Sequence, residues 1–576
     1  MLVRKLIPGA LLLGLLGGLV VPLPAQTPNV VVPPSPPVDG GATMRLTPIP
    51  DTIAPLPHLV PRLPEGIPDL SPLRTFGSVA EDRDRVAQIL GLASTEGFLI
   101  RSPSSQIAPI AQGSAPLRWT LLLPELRSVI NTDIPFSRNE DGMWGGRGLN
   151  TQLTTGVHAE YGRASLLLAP HFRFQANSRF RLPGTPAPDR HPFSSLWHTG
   201  RDGAESADLP RRFGEGPIAT ADRGQSALWV DLGRVALGAA TESQWWGPGI
   251  RNAIVMSNNA PGIPHLFLRS TAPLRTRFGS FETKWMVGAL SESAFFDTIP
   301  ENDTRSLSAL AATFQPTGEP NLTLGLARSV YAPVRSVGAA PLRLFDVLTR
   351  SGRYADQEGP DQVVSLFGRW VLPEDGVEVY AEWARAELPL SLRDLLRDPN
   401  HTQGYTLGLQ WAGAVRGSAL VRIQAELTQL EQSPTYRHRP ATSFYSSQQV
   451  PQGYTQRGQI IGAAIGPGGS SQWIAADYLE SEWGVGLFGG RIRWENDAYY
   501  RHALDGRLYT AHDVSVLGGV RAQYRFPALE VGAEVIRQQR LNYLFQNWSF
   551  NLDALLAVDQ PNTTVRLLVT PRHRSR

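Results

Sequence analysis

The chain contains no cysteine in 576 residues. That excludes disulfide staples, thiolate metal sites and thiol nucleophiles together. Lysine is almost missing as well: Lys5 and Lys284 are its only occurrences, so nearly all the positive charge is arginine. The planar arginine fork suits bidentate contact with carboxylates and phosphates, although a biased genome explains the preference as simply. No charge of one sign dominates, because 54 Lys and Arg face 51 Asp and Glu for a net of +3. Such a balance gives no ground for a nucleic-acid partner. Long apolar runs are also lacking: beyond the first residues none approaches the roughly 20 needed for a spanning helix. With 42% apolar residues the chain is too polar for a polytopic helical membrane protein. A β-barrel escapes both tests, since only alternate residues of its strands face lipid. Catalytic signatures are missing too, with no Gly-x-Ser-x-Gly elbow, no His-Glu-x-x-His helix and no phosphate-binding glycine loop. The 11 histidines are scattered, and His191 with His198 in one stretch is thin ground for a metal. No cofactor, metal or catalysed reaction is expected.

What is present reads in order. Met1 to Ala25 has the form of a secretory leader, with Arg4 and Lys5 before a leucine- and glycine-rich run. Leu23 is an imperfect residue near the cut expected after Ala25. Residues 26–72 are proline-rich, as in Val32-Pro33-Pro34-Ser35-Pro36-Pro37, and suit an extended periplasmic tether or coil lining a plug. Ser78 and Glu81 then form a capping-box pattern for a helix carrying Val79, Val86, Ile89 and Leu90, with Gly91 as its stop. A second short helix is expected over Glu125 to Ile130, after Pro124.

Beyond about Asn150 the rhythm changes to period two. Phe281, Thr283, Trp285, Val287 and Ala289 alternate with Glu282, Lys284, Met286 and Gly288. Val377 to Ala384 and Val514 to Phe526 repeat the pattern, the latter long enough to span a bilayer, for which about 9 to 11 residues suffice. Trp285, Trp370, Trp383, Trp411, Trp483 and Trp494 sit where interfacial girdles would. The expected fold is all-β: a large antiparallel transmembrane β-barrel of about 16 to 18 strands with a small N-terminal helical plug. The expected boundaries are a signal peptide at 1–25, a proline-rich segment at 26–72, the plug at 73–133, the barrel at 134–570 and a basic tail at 571–576. Gly233-Arg234 reads as a tight turn, whereas Asn177 to Gln225, Arg328 to Asp361, Arg385 to Gln403 and Glu431 to Gln459 read as long outer loops. Glu378 and Glu382 share a strand face; a glycosidase pair is conceivable, but lumen charges answered by arginines of adjacent strands are commoner.

One stretch breaks the rhythm. Glu242 to Arg269 contains Trp245-Trp246-Gly247-Pro248-Gly249 and then Ser257-Asn258-Asn259-Ala260 before a proline-bracketed exit. Gly247, Pro248 and Gly249 forbid regular pairing. Aromatic faces with uncharged amides suit a sugar ring. The order and spacing of the two halves resemble the capsule assembly proteins called Wzi, and a weaker likeness runs from about Leu73 to the C-terminus. That resemblance implies a plugged barrel in the cell outer membrane that acts as a lectin for capsular or other surface polysaccharide. It implies contact with outer-membrane lipid and with capsule export machinery. The ligand-binding candidates are Trp245, Trp246, Gly247, Asn258, Asn259, Glu242 and Arg251 at the motif, with Trp144, Arg147 and Trp197 in loops. The alternative for these residues is structural: tryptophans packing the interior and asparagines closing turns. The competing function is an outer-membrane porin or gated channel for small polar solutes.

Overall fold

A computed structural model describes residues 75–110, 116–182, 191–198, 205–297, 299–349, 359–389, 391–501, 511–547 and 557–571. The leader, the proline-rich segment and nearly all of the basic tail lie outside the described residues.

Alternating residues close into an antiparallel barrel of 18 strands. The first six are β1 (Leu117–Asn131), β2 (Gly148–Tyr161), β3 (Ala164–Leu168 and His171–Gln175), β4 (Ile218–Asp222 and Ala227–Asp231), β5 (Val235–Ala240) and β6 (His265–Ser270 and Leu274–Arg275). Next come β7 (Gly279–Ser291), β8 (Thr304–Pro316), β9 (Leu322–Pro333), β10 (Asp361–Leu372), β11 (Val377–Arg385) and β12 (Gln403–Arg416). The last are β13 (Ala419–Gln429), β14 (Ser470–Leu479), β15 (Trp483–Arg493), β16 (Val514–Arg525), β17 (Leu529–Leu541) and β18 (Gln560–Pro571). Pairing of Leu126–Asn131 with Thr564–Val569 joins β18 to β1 and abolishes the sheet edge. Outward residues such as Leu326, Leu366, Val379, Trp411, Ile474, Leu487, Val516 and Tyr524 are exposed. Such an apolar exterior is a lipid-facing band. All the short turns, Gly233-Arg234 among them, lie at one end, and all the long connections leave the other.

Three expectations need correction. Glu125 to Ile130 is not helical but part of β1, so the barrel begins at Leu117, inside the segment expected as plug. The register slips between Leu122 and Glu125, and Pro124 is tolerated in that irregularity because a bulge leaves ladder positions unpaired. Two loops are shorter than expected, since Ile218–Asp222 pairs with β3 and Arg328–Pro333 belongs to β9. Trp494 is no girdle residue: Trp483 faces outward, so parity turns position 494 inward, where its Nε1 donates to Ser515 Oγ at 2.7 Å.

The helix α1 (Val79–Ile89) starts where the capping pattern puts it. Ser78 Oγ accepts from the Glu81 amide, while Glu81 itself reaches back to the Gly77 amide rather than to the cap. α1 lies inside the short-turn end of the barrel. Cβ atoms at Gly91 and Gly532 would meet Pro373 of a short turn and Val79 of the helix, respectively. The rest of the lumen is filled from the other end by the Thr241–Pro264 insert between β5 and β6 and by the long connections. Ile254, Val255 and Met256 pack with Tyr445, Tyr454, Ile460 and Ile461 in one apolar cluster. Tyr445 Oη and Tyr454 Oη cap it by donating to the carbonyls of Ile254 and Val255 at 2.7 and 2.8 Å.

In the connection between β11 and β12, burial and the nearby Arg439 and Arg385 lower the pKa of His401 from 6.5 to about 4. A base depressed on folding is neutral in the folded state while the unfolded chain takes up the proton. Its stabilising contribution is therefore complete above pH 6.5 and is lost as the pH falls toward about 4. Amide exchange in the 391–402 segment should rise across that window in the wild type. A His401→Asn variant should show a flatter profile.

Candidate functional site

The Trp245 to Asn259 stretch is anchored from every side. Arg101 and Ile100 pair with Trp245 and Trp246 in a two-residue ribbon, and the Gly247 amide donates to Leu99 O at 2.9 Å. Gly247 has φ of +111°, a conformation that favours glycine, and a Cβ there would press on the Glu382 carboxylate at 3.1 Å. Glu426 of β13 accepts the amides of Ile250, Arg251 and Asn252, at 2.6 to 3.2 Å, in a small anion nest. Glu382 accepts the Ile254 amide at 3.2 Å. Glu378 is held between Arg85 of α1 and Arg369 of β10, and Arg85 Nη2 also donates to Pro248 O at 2.7 Å. The lumen carboxylates thus fasten the plug, and an arginine of an adjacent strand answers Glu378 as parity suggests.

Beneath the insert, in the short-turn half of the lumen, lies a cavity of about 280 Å³. Its walls come from α1, the Arg138–Glu140 segment, the insert and strands β13 to β18 with β1. Arginine dominates its polar lining. Arg422 and Arg521 are neutralised by Asp477, with Arg422 also reaching Asp82 at 2.6 Å. Arg566 reaches Glu140 at 3.2 Å. Arg138 and Arg251 are different, because neither guanidinium has a carboxylate partner among the described residues. Burial, reinforced by the neighbouring Arg566, lowers the Arg138 pKa to about 10. Arg251 instead lies 4.3 Å over the Trp473 ring, a cation–π contact that leaves its donors available.

Of the residues singled out by sequence, Trp245, Arg251 and Asn258 line this cavity. Trp245 is 4% exposed and packs against Phe76, with no acceptor for its Nε1. Asn258 donates to Asn139 O and Asp141 Oδ1 at 3.0 and 2.9 Å, leaving its own carbonyl oxygen unpartnered. Burial raises the Asp141 carboxyl to about 6, against the opposing pull of Arg127. Trp246 and Gly247 lie within the body of the plug, and Asn259 Nδ2 donates to Ile460 O at 2.9 Å. Glu242 faces Lys284 at 3.1 Å and accepts from Ser104. Burial alone would raise its pKa, but the Lys284 charge holds it at about 2. The three loop residues are elsewhere: Trp144 stacks obliquely on Phe213 at 5.2 Å, Arg147 donates to Thr132 O and Arg179 O, and Trp197 is enclosed with Leu196, Ala207 and Phe545. Sequence reasoning missed Arg138, Arg422, Arg521 and Arg566. For the last three the signal was available, since each falls on the inward parity of its strand.

The sequence model of the family described as capsule assembly protein Wzi matches residues 126–332. Among solved structures, the fold is similar to that of Wzi from Escherichia coli, described as a carbohydrate-binding β-barrel of the outer membrane involved in group 1 capsule assembly. The TM-score is 0.51 at 10% identity, covering 78% of this chain and 84% of that one. OccK2 of Pseudomonas aeruginosa aligns with a TM-score of 0.35 at 12% identity, over 78% of this chain and 97% of that one. No curated protein sequence matches the chain.

Proposed function

We infer that this chain, which belongs to the capsule assembly protein Wzi family through residues 126–332, is a lectin-like barrel of the outer membrane. It binds surface polysaccharide and helps attach or assemble it at the cell surface, without catalysing a reaction. The observation that carries this reading is the cavity under the plug, which is lined by an aromatic wall, an unpartnered amide oxygen and two guanidinium groups without a carboxylate partner among the described residues. A glycan unit needs apolar surface for its CH faces and donors and acceptors for its hydroxyls. A carboxylate or phosphate on it would engage Arg138 and Arg251. Short turns mark the periplasmic end of such barrels, so the cavity meets a polysaccharide, or the machinery that exports it, from the inside. Trp144 and Arg147 at the long-connection end are proposed as contacts for the chain held outside.

Titration calorimetry on the purified barrel should detect uronate-bearing oligosaccharides more tightly than neutral ones. Arg251→Ala, through one charge-assisted hydrogen bond, and Trp245→Ala, through its lost aromatic face, should each weaken that binding on the order of tenfold. Added salt should weaken it further. Equal affinity for neutral and acidic glycans, untouched by Arg251→Ala, would refute the cavity assignment. A large steady current through the wild type in planar bilayers would favour the porin instead.

A further inference from the structure

Strands β7 to β10 turn a group of polar side chains toward the exterior. Phe281 and Phe314 are opposite each other on β7 and β8, 4.6 Å apart, and the exposure of Phe281 marks their side as the exterior. Parity puts Trp285, Ser306, Ser308, Arg328 and Gln362 on that same exterior. Ser308 is six residues from Phe314, hence about 20 Å along the strand at 3.3 Å per residue. At a tilt of about 40° that is about 15 Å of height, within an apolar band about 25 Å tall. Arg328, opposite Leu310, is at about 10 Å on the same scale, also within the band. Bare polar groups at this depth would be unsatisfied, because hydrocarbon offers no hydrogen-bond partner.

They are not bare. The connection after β9 folds back over the outside of the wall as two short 3-10 turns, Val337–Arg343 and Asp346–Leu348. Trp285 Nε1 and Ser308 Oγ donate to Leu344 O at 3.1 and 2.6 Å. The Val347 amide donates to Ser308 Oγ at 3.2 Å, and Arg328 Nη1 donates to Val347 O at 2.7 Å. Phe345 sets its ring edgewise against Trp285 at 5.2 Å. Val287, Val330 and Ala332, outward by parity, are buried beneath this strap. Its far side carries Val337, Leu342, Phe345 and Leu348, all exposed, Leu342 to 84%.

We propose that the Val337–Leu348 strap is embedded in the bilayer and that its far side is a lipid-docking surface for acyl chains, replacing the polar wall it covers. Two features single out lipid as the occupant. The strap continues the apolar band formed by Leu326 and Leu366 on the strands beneath it. It also satisfies, from its own backbone, wall groups that hydrocarbon would otherwise leave without a partner.

Because the chain has no cysteine, Leu342→Cys and Leu348→Cys each give one site for a nitroxide label in the full-length barrel reconstituted in phosphatidylcholine vesicles. Both labels should collide with dissolved oxygen far more than with a water-soluble nickel chelate. Their ratio should match a label at Leu326→Cys on the band and oppose one at Arg179→Cys, whose side chain is 82% exposed at the long-connection end. Nickel accessibility like that at position 179 would place the strap in water and overturn the proposal. So would spin–spin broadening that disappears on dilution with unlabelled protein, which would make a second copy the occupant.

Discussion

A Glu378→Ala barrel is expected to leak: its plug should loosen and its conductance in planar bilayers should rise well above that of the wild type. Glu378 is 0% exposed and binds two buried arginines at once, Arg85 of the helix and Arg369 of the wall, with Gln410 Nε2 at 3.3 Å as a further donor. Arg85 passes the connection on to Pro248 O and Arg369 to Gln88, so helix, insert and wall meet at one carboxylate. Deleting it strands two guanidinium groups away from water, a loss of about 3–5 kcal/mol in comparable buried pairs. Glu378→Gln, which retains an acceptor but not the charge, should fall between. Replacing the whole triad by Glu378→Leu, Arg85→Met and Arg369→Leu should do less harm than the single change, since no charge is left uncompensated. A Glu378→Ala barrel as tight and as protease-resistant at residues 75–110 as the wild type would show that this triad is not the latch.

Trp246→Ala should cost nearly as much stability, about 3–5 kcal/mol for an enclosed aromatic side chain. Trp246 is 0% exposed within the apolar cluster, and its amide donates to Met256 O at 3.1 Å. The neighbouring Trp245, at the cavity wall, should respond differently, losing glycan affinity with a smaller change in unfolding. Thermal melts followed by near-UV circular dichroism, run beside the binding titrations, separate the two. Should both variants melt alike and bind alike, the division between a structural and a ligand-facing tryptophan fails.

That division is one the sequence could not draw. Two adjacent tryptophans on a turn diverge, but which of them meets a cavity depends on Ile100 and Arg101, paired with them from more than a hundred residues away. The alternation over Val377 to Ala384 and the start of α1 at Ser78 were legible because each is set by neighbours two to four positions apart, and the strand count because the length of the period-two region bounds it. The Glu125 to Ile130 helix was misread for the same reason: Pro124 before a charged residue satisfies a helix start locally, and only pairing with β2 and β18 makes it a strand. Parity would have exposed Trp494 as inward, and would have flagged Ser306, Ser308 and Arg328 as polar groups on a lipid-facing side.

By itself, then, the sequence pointed to a barrel through its leader, the number of its period-two segments and their terminal aromatics, and showed that its Trp-Trp-Gly-Pro-Gly insert could not be part of the wall. Only the tertiary structure decided where the insert and the strap go. Their destinations are fixed by Glu378, Glu382 and Glu426 on one side of the wall and by Ser308 and Arg328 on the other. A loop carries no periodicity of its own. It is placed by the distant polar groups that would otherwise be left unsatisfied in a lumen or in lipid, and those partners are adjacent only once the barrel has closed.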